Sequence, residues 1–195
     1  MIPPTAAAAS LDELLGIEGN AARRYFSVFG HLISAQSDLP PLTARTRRPP
    51  TDPLNALLSF AYGLLRGLVH GAAETTGLDP HLGFLHGIRP AKPALVLDLM
   101  EEFRAPLADR FVLSLVNRRQ ITSKDFDALP GGAIHLSEDG RKTVLTAWQE
   151  WRSEERQHAL LGRNVPHGLL PMVQARLLAR HLRGKLPSYI SWTPH

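Results

Sequence analysis

Residues 83–104 read GFLHGIRPAKPALVLDLMEEFR. A loop punctuated by Gly83, Gly87, Pro90 and Pro93 carries one histidine, His86, and leads into an apolar run that ends in carboxylates. Asp98 and Glu101 stand three apart, so on a helix they share a face, with Cβ atoms roughly 5–6 Å apart. His86 lies upstream of Asp98, and the proline-bearing loop is long enough to fold it back over that face. Two carboxylates and one imidazole make an oxygen-rich donor set, which suits Mg²⁺ or Mn²⁺ better than a thiolate-bound metal. On spacing alone the same acids fit a second reading, as first-turn carboxylates at the positive end of a helix dipole.

Outward from this stretch the pattern is helical. Downstream, Leu99, Phe103, Leu107, Phe111 and Leu115 recur at steps of four, which predicts one helix over residues 95–117 closed by Arg118 and Arg119. Upstream, Asp52-Pro53 opens a strongly apolar helix over 54–76, with proline in its first turn and Gly77 with Pro80 as its stop. His70 and Glu74 sit at i, i+4 on it, as a ligand pair or as a core-edge histidine beside a surface acid. Ser10 and Glu13 form a capping-box pattern that starts a helix over 11–29. That helix contains Gly16 and Gly19 around Glu18, each costing about 1 kcal/mol against alanine. A close approach by a backbone or a ligand would account for them.

Residues 36–52 form a Pro- and Arg-rich connection in which Arg45, Arg47 and Arg48 are expected to be exposed, as a solvated loop or as phosphate contacts. Residues 122–127 read as a capped turn, 131–138 as a strand or hairpin arm, and Asp139-Gly140 as a turn. Helices follow over 141–161 and 168–183. The last gathers Arg176, Arg180 and Arg183 towards its end, and the tail LPSYISW is apolar enough to dock on the body. The fold class is therefore mostly α: a bundle-like lobe over 11–192 with at most one short hairpin, preceded by residues 1–10 as a disordered lead or linker stump.

Composition agrees. The chain has 195 residues, 44% hydrophobic and 21% charged, which suits one domain of ordinary size. With no cysteine, disulfides, thiolate zinc and cysteine nucleophiles are excluded. A net charge of +4, mostly arginine in its basic part, favours an anionic partner. No apolar run approaches the ~18 residues of a spanning helix, and MIPPTAAAAS lacks the charged and apolar regions of a secretory signal. No membrane partner is expected.

Three stretches resemble one family: GIEGNAARRYF around Glu18, RRPPTDPLNALLSFAYGLL over 47–65, and GLDPHLGFLH with RPAKPALVLDLMEEFR over 77–104, continuing through LADRFVLSLVNRRQI. In that order they are similar to the CRISPR-associated integrase/endonuclease of spacer acquisition, Cas-one, over about half of the chain. The resemblance implies a helical catalytic lobe that binds Mn²⁺ or Mg²⁺ and acts on DNA phosphodiesters. It places metal ligands on Glu18 of the GIEG motif, His86 of GFLH, and Glu101, the second acid of a D-x-x-D/E pair, with Asp98 as an auxiliary acid. Glu stands here where Asp is also usual, which changes the reach of the carboxylate but not its chemistry. The glycines beside Glu18 would then let its helix approach the site.

The resemblance also implies, as partners, protospacer and repeat DNA, the nuclease-fold protein Cas-two, and a homodimer in the full-length family, in a prokaryotic cytoplasm. Arg45, Arg47, Arg48, Arg176, Arg180 and Arg183 are the candidate DNA contacts. The family's N-terminal β-rich domain has no counterpart in these residues. A catalytically silent DNA- or partner-binding lobe, or an unrelated helical scaffold, remain the alternatives, separated by whether Glu18, His86 and Glu101 bind one ion.

Overall fold

The structure is a computed structural model, and it describes residues 8–46 and 48–193. Arg47 and most of the expected N-terminal lead, residues 1–7, lie outside the described residues. Among the described residues, six α-helices and two antiparallel two-stranded hairpins follow in the order α1 Leu11–Phe29, α2 Pro53–Thr75, α3 Ala94–Met100, α4 Arg110–Asn117, β1 Phe126–Ala128, β2 Ile134–Leu136, α5 Glu138–Ser153, β3 Glu155–His158, β4 Arg163–Pro166 and α6 Leu170–Leu182. Among the described residues the packing falls into two compact units. One takes in those of Met1–Ser59 and Leu113–Thr143, the other those of Phe60–Val112 and Val144–His195.

In the first unit, α1 starts where the hydroxyl of Ser10 accepts the amide of Glu13 at 3.2 Å. The returning arm of the box reaches one residue further than expected, because Glu13 accepts from the amide of Ala9. Phe26 and Phe29 are buried with Leu39, Leu42, Leu54, Leu57 and Leu58. Asn55 is fully buried, and its side chain knits residues 44–52 to the start of α2. It accepts from the amide of Thr46 and from Arg45 Nη1, and donates to the carbonyl of Ala44 and to Asp52. Arg45 therefore departs from the exposed loop cation expected of it. It is half-buried, bonded also to Ser59, and lies over the ring of Phe26 at 5.9 Å. A buried amide oxygen in the first turn of α2 needs donors, and Arg45 is one of them. Arg48 is exposed as expected.

The expected turn at Asp139-Gly140 is instead the first turn of α5. Gly140 is there because a Cβ would stand 2.4 Å from the carbonyl oxygen of Asp125.

In the second unit the expected single helix over 95–117 is broken. Pro106 has no N–H, so the carbonyl of Glu102 loses its i+4 donor. The backbone answers by widening: Leu107 and Ala108 both donate to the carbonyl of Phe103, at 3.0 and 3.3 Å, and Arg104–Asp109 forms a π turn between α3 and α4. The apolar stripe survives the break, with Leu99, Phe103, Leu107 and Phe111 all buried. Phe111 packs edge-on against Trp148 at 5.0 Å and tilted against Trp151 at 5.9 Å.

A second correction concerns α5, which stops at Ser153 where a helix to 161 was expected. The hairpin β3–β4 follows and makes a second hairpin beyond the one anticipated; Gly162, in the left-handed conformation at φ 61°, turns the chain between its strands. The mostly α class stands. A third concerns α2, which at 23 residues is long and apolar enough to span a bilayer by length and composition. Its buried residues in this unit, Ala61, Leu65, Val69, Ala72 and Ala73, recur at steps of three and four and mark the apolar face of a core helix.

His167, at the end of β4, is 2% exposed, donating Nδ1–H to the carbonyl of Trp151 and accepting from Arg156 at Nε2. Burial holds its imidazole below the ordinary value of 6.5. The folded state therefore keeps it neutral while the unfolded chain takes up a proton. Its contribution is complete above about pH 6.5 and is lost as pH falls towards the depressed folded value. Urea midpoints between pH 7.5 and 5 are expected to fall more steeply for the native chain than for His167→Gln. Parallel slopes would assign the acid sensitivity elsewhere.

Candidate active site

The loop after α2 begins where Gly77 takes φ 72° and ends the helix. It returns over α3 because the carboxylate of Asp98 collects it. Asp98 Oδ2 accepts the amides of Phe84 and Leu85, and Oδ1 accepts the amide of His86 at 2.9 Å. Gly83 allows this approach: a Cβ there would stand 2.7 Å from Ala94 and 2.8 Å from Asp98 Oδ2.

The same Oδ1 meets His86 Nδ1 at 2.7 Å, with the two side chains 19% and 12% exposed. A carboxylate can only accept from a protein N–H, so Nδ1 carries the proton and Nε2 is the basic nitrogen. Nε2 makes no hydrogen bond among the described residues. An imidazole oriented by a carboxylate in this way, with its other nitrogen free, is the arrangement found behind metal-ligating histidines.

Glu101 lies one turn beyond Asp98 and pairs with Arg104 Nη2 at 3.0 Å. Arg104 in turn lies over the ring of Tyr62 at 5.7 Å, and the Tyr62 hydroxyl donates to buried Asp109 at 2.6 Å. The sequence reading missed Arg104, Tyr62 and Asp109. The signal available was the residue spacing Asp98, Glu101, Arg104, which puts a cation on the face of the two acids.

Glu18 lies on α1, in the other unit. It is half-buried, and its carboxylate makes no hydrogen bond or ion pair among the described residues. A Cβ on Gly16 or Gly19 would meet nothing within 4 Å, so packing inside this chain does not demand these glycines. Past Glu18, α1 borders a cavity of about 360 Å³ lined by Gly19, Arg23, Phe26, Ser27, Thr43 and Arg45. The structure thus brings His86 and Asp98 together with Glu101 one turn away, and among the described residues no three His, Asp or Glu form a ready metal cage. Within the second unit the donor chemistry nevertheless suits a hard divalent ion: the carboxylate of Glu101 and an imidazole whose free nitrogen is fixed. His70 and Glu74 form an exposed 3.3 Å pair along α2. Arg176, Arg180 and Arg183 are exposed at steps of four and three on and just past α6, forming one cationic face.

The family model described as CRISPR associated protein Cas1 matches residues 2–150. The chain is 53% identical over 187 residues to a CRISPR-associated endonuclease Cas1 of Rhodospirillum rubrum, covering 96% of this chain and 54% of that relative. It thus spans about half of that protein's length. Among solved structures it is similar to a casposase bound to integration product, with TM-score 0.83 and 28% identity over 94% of this chain and 51% of that one. It is also similar to a chain of a Cas6-RT-Cas1–Cas2 complex, with TM-score 0.78 and 28% identity over 96% of this chain and 20% of that one. With the family model matching over most of its length, and the GIEG, GFLH and D-x-x-E segments in order within the match, this chain belongs to the CRISPR-associated Cas1 family.

Proposed function

We propose that the chain is a divalent-metal-dependent lobe that cuts and joins DNA phosphodiesters in CRISPR spacer acquisition. The observation that carries the reading is the Asp98–His86 pair, in which a carboxylate one helical turn before Glu101 orients the imidazole and leaves its Nε2 available. Glu18, His86 and Glu101 would hold Mn²⁺ or Mg²⁺, and Asp98 fixes the tautomer and direction of the histidine. A divalent ion bound there would polarise the phosphoryl oxygen and stabilise charge on the attacking and leaving oxygens.

In transesterification the 3′-oxygen of one DNA strand forms a bond to phosphorus while the bond to another 3′-oxygen breaks. The proton of the attacking hydroxyl leaves to solvent, and the departing oxygen takes one up. Water in place of the hydroxyl gives hydrolysis at the same centre. The face of Arg176, Arg180 and Arg183, with Arg48, would hold backbone phosphates, so affinity should be salt-dependent and largely indifferent to sequence. Paired insertion needs two such centres at a fixed separation, which we assign to a homodimer assembled with Cas2 in the prokaryotic cytoplasm. The chain alone is expected to nick or to join single strands.

The test is nicking of supercoiled plasmid and joining of a labelled oligonucleotide in Mn²⁺, with binding of Mn²⁺ followed by electron paramagnetic resonance. Both activities should vanish in chelator and fall to background in Glu18→Ala and His86→Ala. A native chain that binds DNA without nicking above background, with Mn²⁺ affinity indifferent to Glu18→Ala, would instead make this a silent binding lobe.

A further inference from the structure

Glu102, the neighbour of Glu101, enters a part-buried polar cluster that the proposed function does not use. Its carboxylate accepts from the side-chain amide of Gln174 at 2.8 Å, from the hydroxyl of Tyr189, and from the backbone amide of Trp192 at 3.0 Å. Gln174 is fully buried, donates also to the carbonyl of Ile190, and receives His158 Nε2 at 3.0 Å. Trp192, 4% exposed, stacks on Phe103 at 5.9 Å. The last described residues of the chain are thus fastened to Glu102 and Phe103, just past the end of α3.

The site of attachment matters because regular helix ends there. The bonds from Glu101 to the carbonyl of Asp98 and from Phe103 to that of Met100 are of the tight i→i−3 kind, and the π turn follows at once. On its C-terminal side the backbone that carries Glu101 runs into these tight and wide turns instead of a regular α-helical ladder. Wide turns of this kind recur at functional sites.

We infer that the C-terminal tail is a positioning clasp: Tyr189 and Trp192, acting through Glu102 and Phe103, fix the turn that aims the Glu101 carboxylate at the metal. Burial, and then the Glu102 charge, raise the Tyr189 phenol above its ordinary value of 10.0, so it stays a donor at neutral pH. A carboxylate held by several donors is well suited to this task, since its charge-assisted bonds are short and directional. The inference rests on the metal reading above and extends it to residues that touch neither ion nor DNA.

The experiment compares Glu102→Gln, Tyr189→Phe and Glu101→Ala in the whole 195-residue chain. Glu102→Gln places an amide NH₂ among donors, and Tyr189→Phe deletes one hydroxyl while leaving the Trp192 stack in place. The readouts are the Mn²⁺ dissociation constant by electron paramagnetic resonance well below the unfolding temperature, and hydrogen exchange of residues 99–104. Outer partners of metal ligands typically change affinity about 10–100-fold. We expect Mn²⁺ binding about ten-fold weaker in Glu102→Gln, several-fold weaker in Tyr189→Phe, and faster exchange at residues 101–104 in both.

A Leu178→Val core variant, destabilised to the same degree, should keep the native Mn²⁺ affinity. If Glu102→Gln does not fold, Tyr189→Phe decides alone. Mn²⁺ affinity within twofold of native in the folded clasp variants, whatever their melting temperature, overturns the clasp and leaves a purely structural tail. Should Glu101→Ala also bind Mn²⁺ like the native chain, the metal reading fails and the clasp fails with it.

Discussion

Asp98→Ala is expected to abolish Mn²⁺-dependent DNA nicking while leaving the helices intact. The substitution leaves the amides of Phe84, Leu85 and His86 without their acceptor and frees the imidazole of His86 to rotate. The two part-buried donors, the amides of Leu85 and His86, cost about 1–3 kcal/mol each when deserted, so residues 83–87 should detach from α3. Far-UV circular dichroism should change little, because α3 keeps its apolar face of Leu95, Leu99 and Met100. Asp98→Asn separates charge from shape. Its oxygen still accepts, but its NH₂ confronts donors, and the histidine loses a charged partner. Metal affinity is expected to weaken about 10–100-fold for Asn and by at least that for Ala. Nicking by Asp98→Asn at the native rate across the Mn²⁺ titration would remove Asp98 from any orienting role.

The second large effect lies in the core. Phe111 is 2% exposed between Trp148 and Trp151, and Phe111→Ala leaves a ring-sized void that those indoles cannot fill without leaving their own contacts. Such truncations cost about 3–5 kcal/mol, a large share of the roughly 5–15 kcal/mol that holds a domain folded. With a slope of about 2 kcal/mol per molar urea, the midpoint should fall by about 2 M, with tryptophan emission shifting to the red. A change below about 0.5 M would mean that the aromatic cluster repacks, and these ring contacts would then count for little.

What could be read from the residues had a physical reason to be local. The start of α1 is written in Ser10 and Glu13, and the start of α2 in Asp52 and Pro53, because capping is decided within four residues. The stripe from Leu99 to Leu115 announced burial correctly, yet its regularity concealed Pro106, whose missing N–H breaks the helix that the stripe implies. The β3–β4 hairpin escaped because each strand buries so little, chiefly His158 and Val165, that no alternation shows. Arg45 read as a loop cation because the need it meets, the buried oxygen of Asn55, is ten residues away. His86 and Asp98 were legible as chemistry, and the motif order singled out Glu101. Glu102 was not legible, since its donors come from residues 174–192 and nothing near it in sequence asks for them.

The wide turn at Arg104–Asp109 settles one further matter. An α-helix advances about 100° per residue, so side chains four apart drift by about 40° at each step. Over the four steps from Leu99 to Leu115 a regular helix would turn its apolar stripe through roughly 160°, nearly to the opposite side. A turn closed by i→i−5 bonds advances less per residue and takes up part of that drift. The residue added at Pro106 therefore works as a phase correction. It helps to keep the aromatic core and the acid-bearing end of the segment in step.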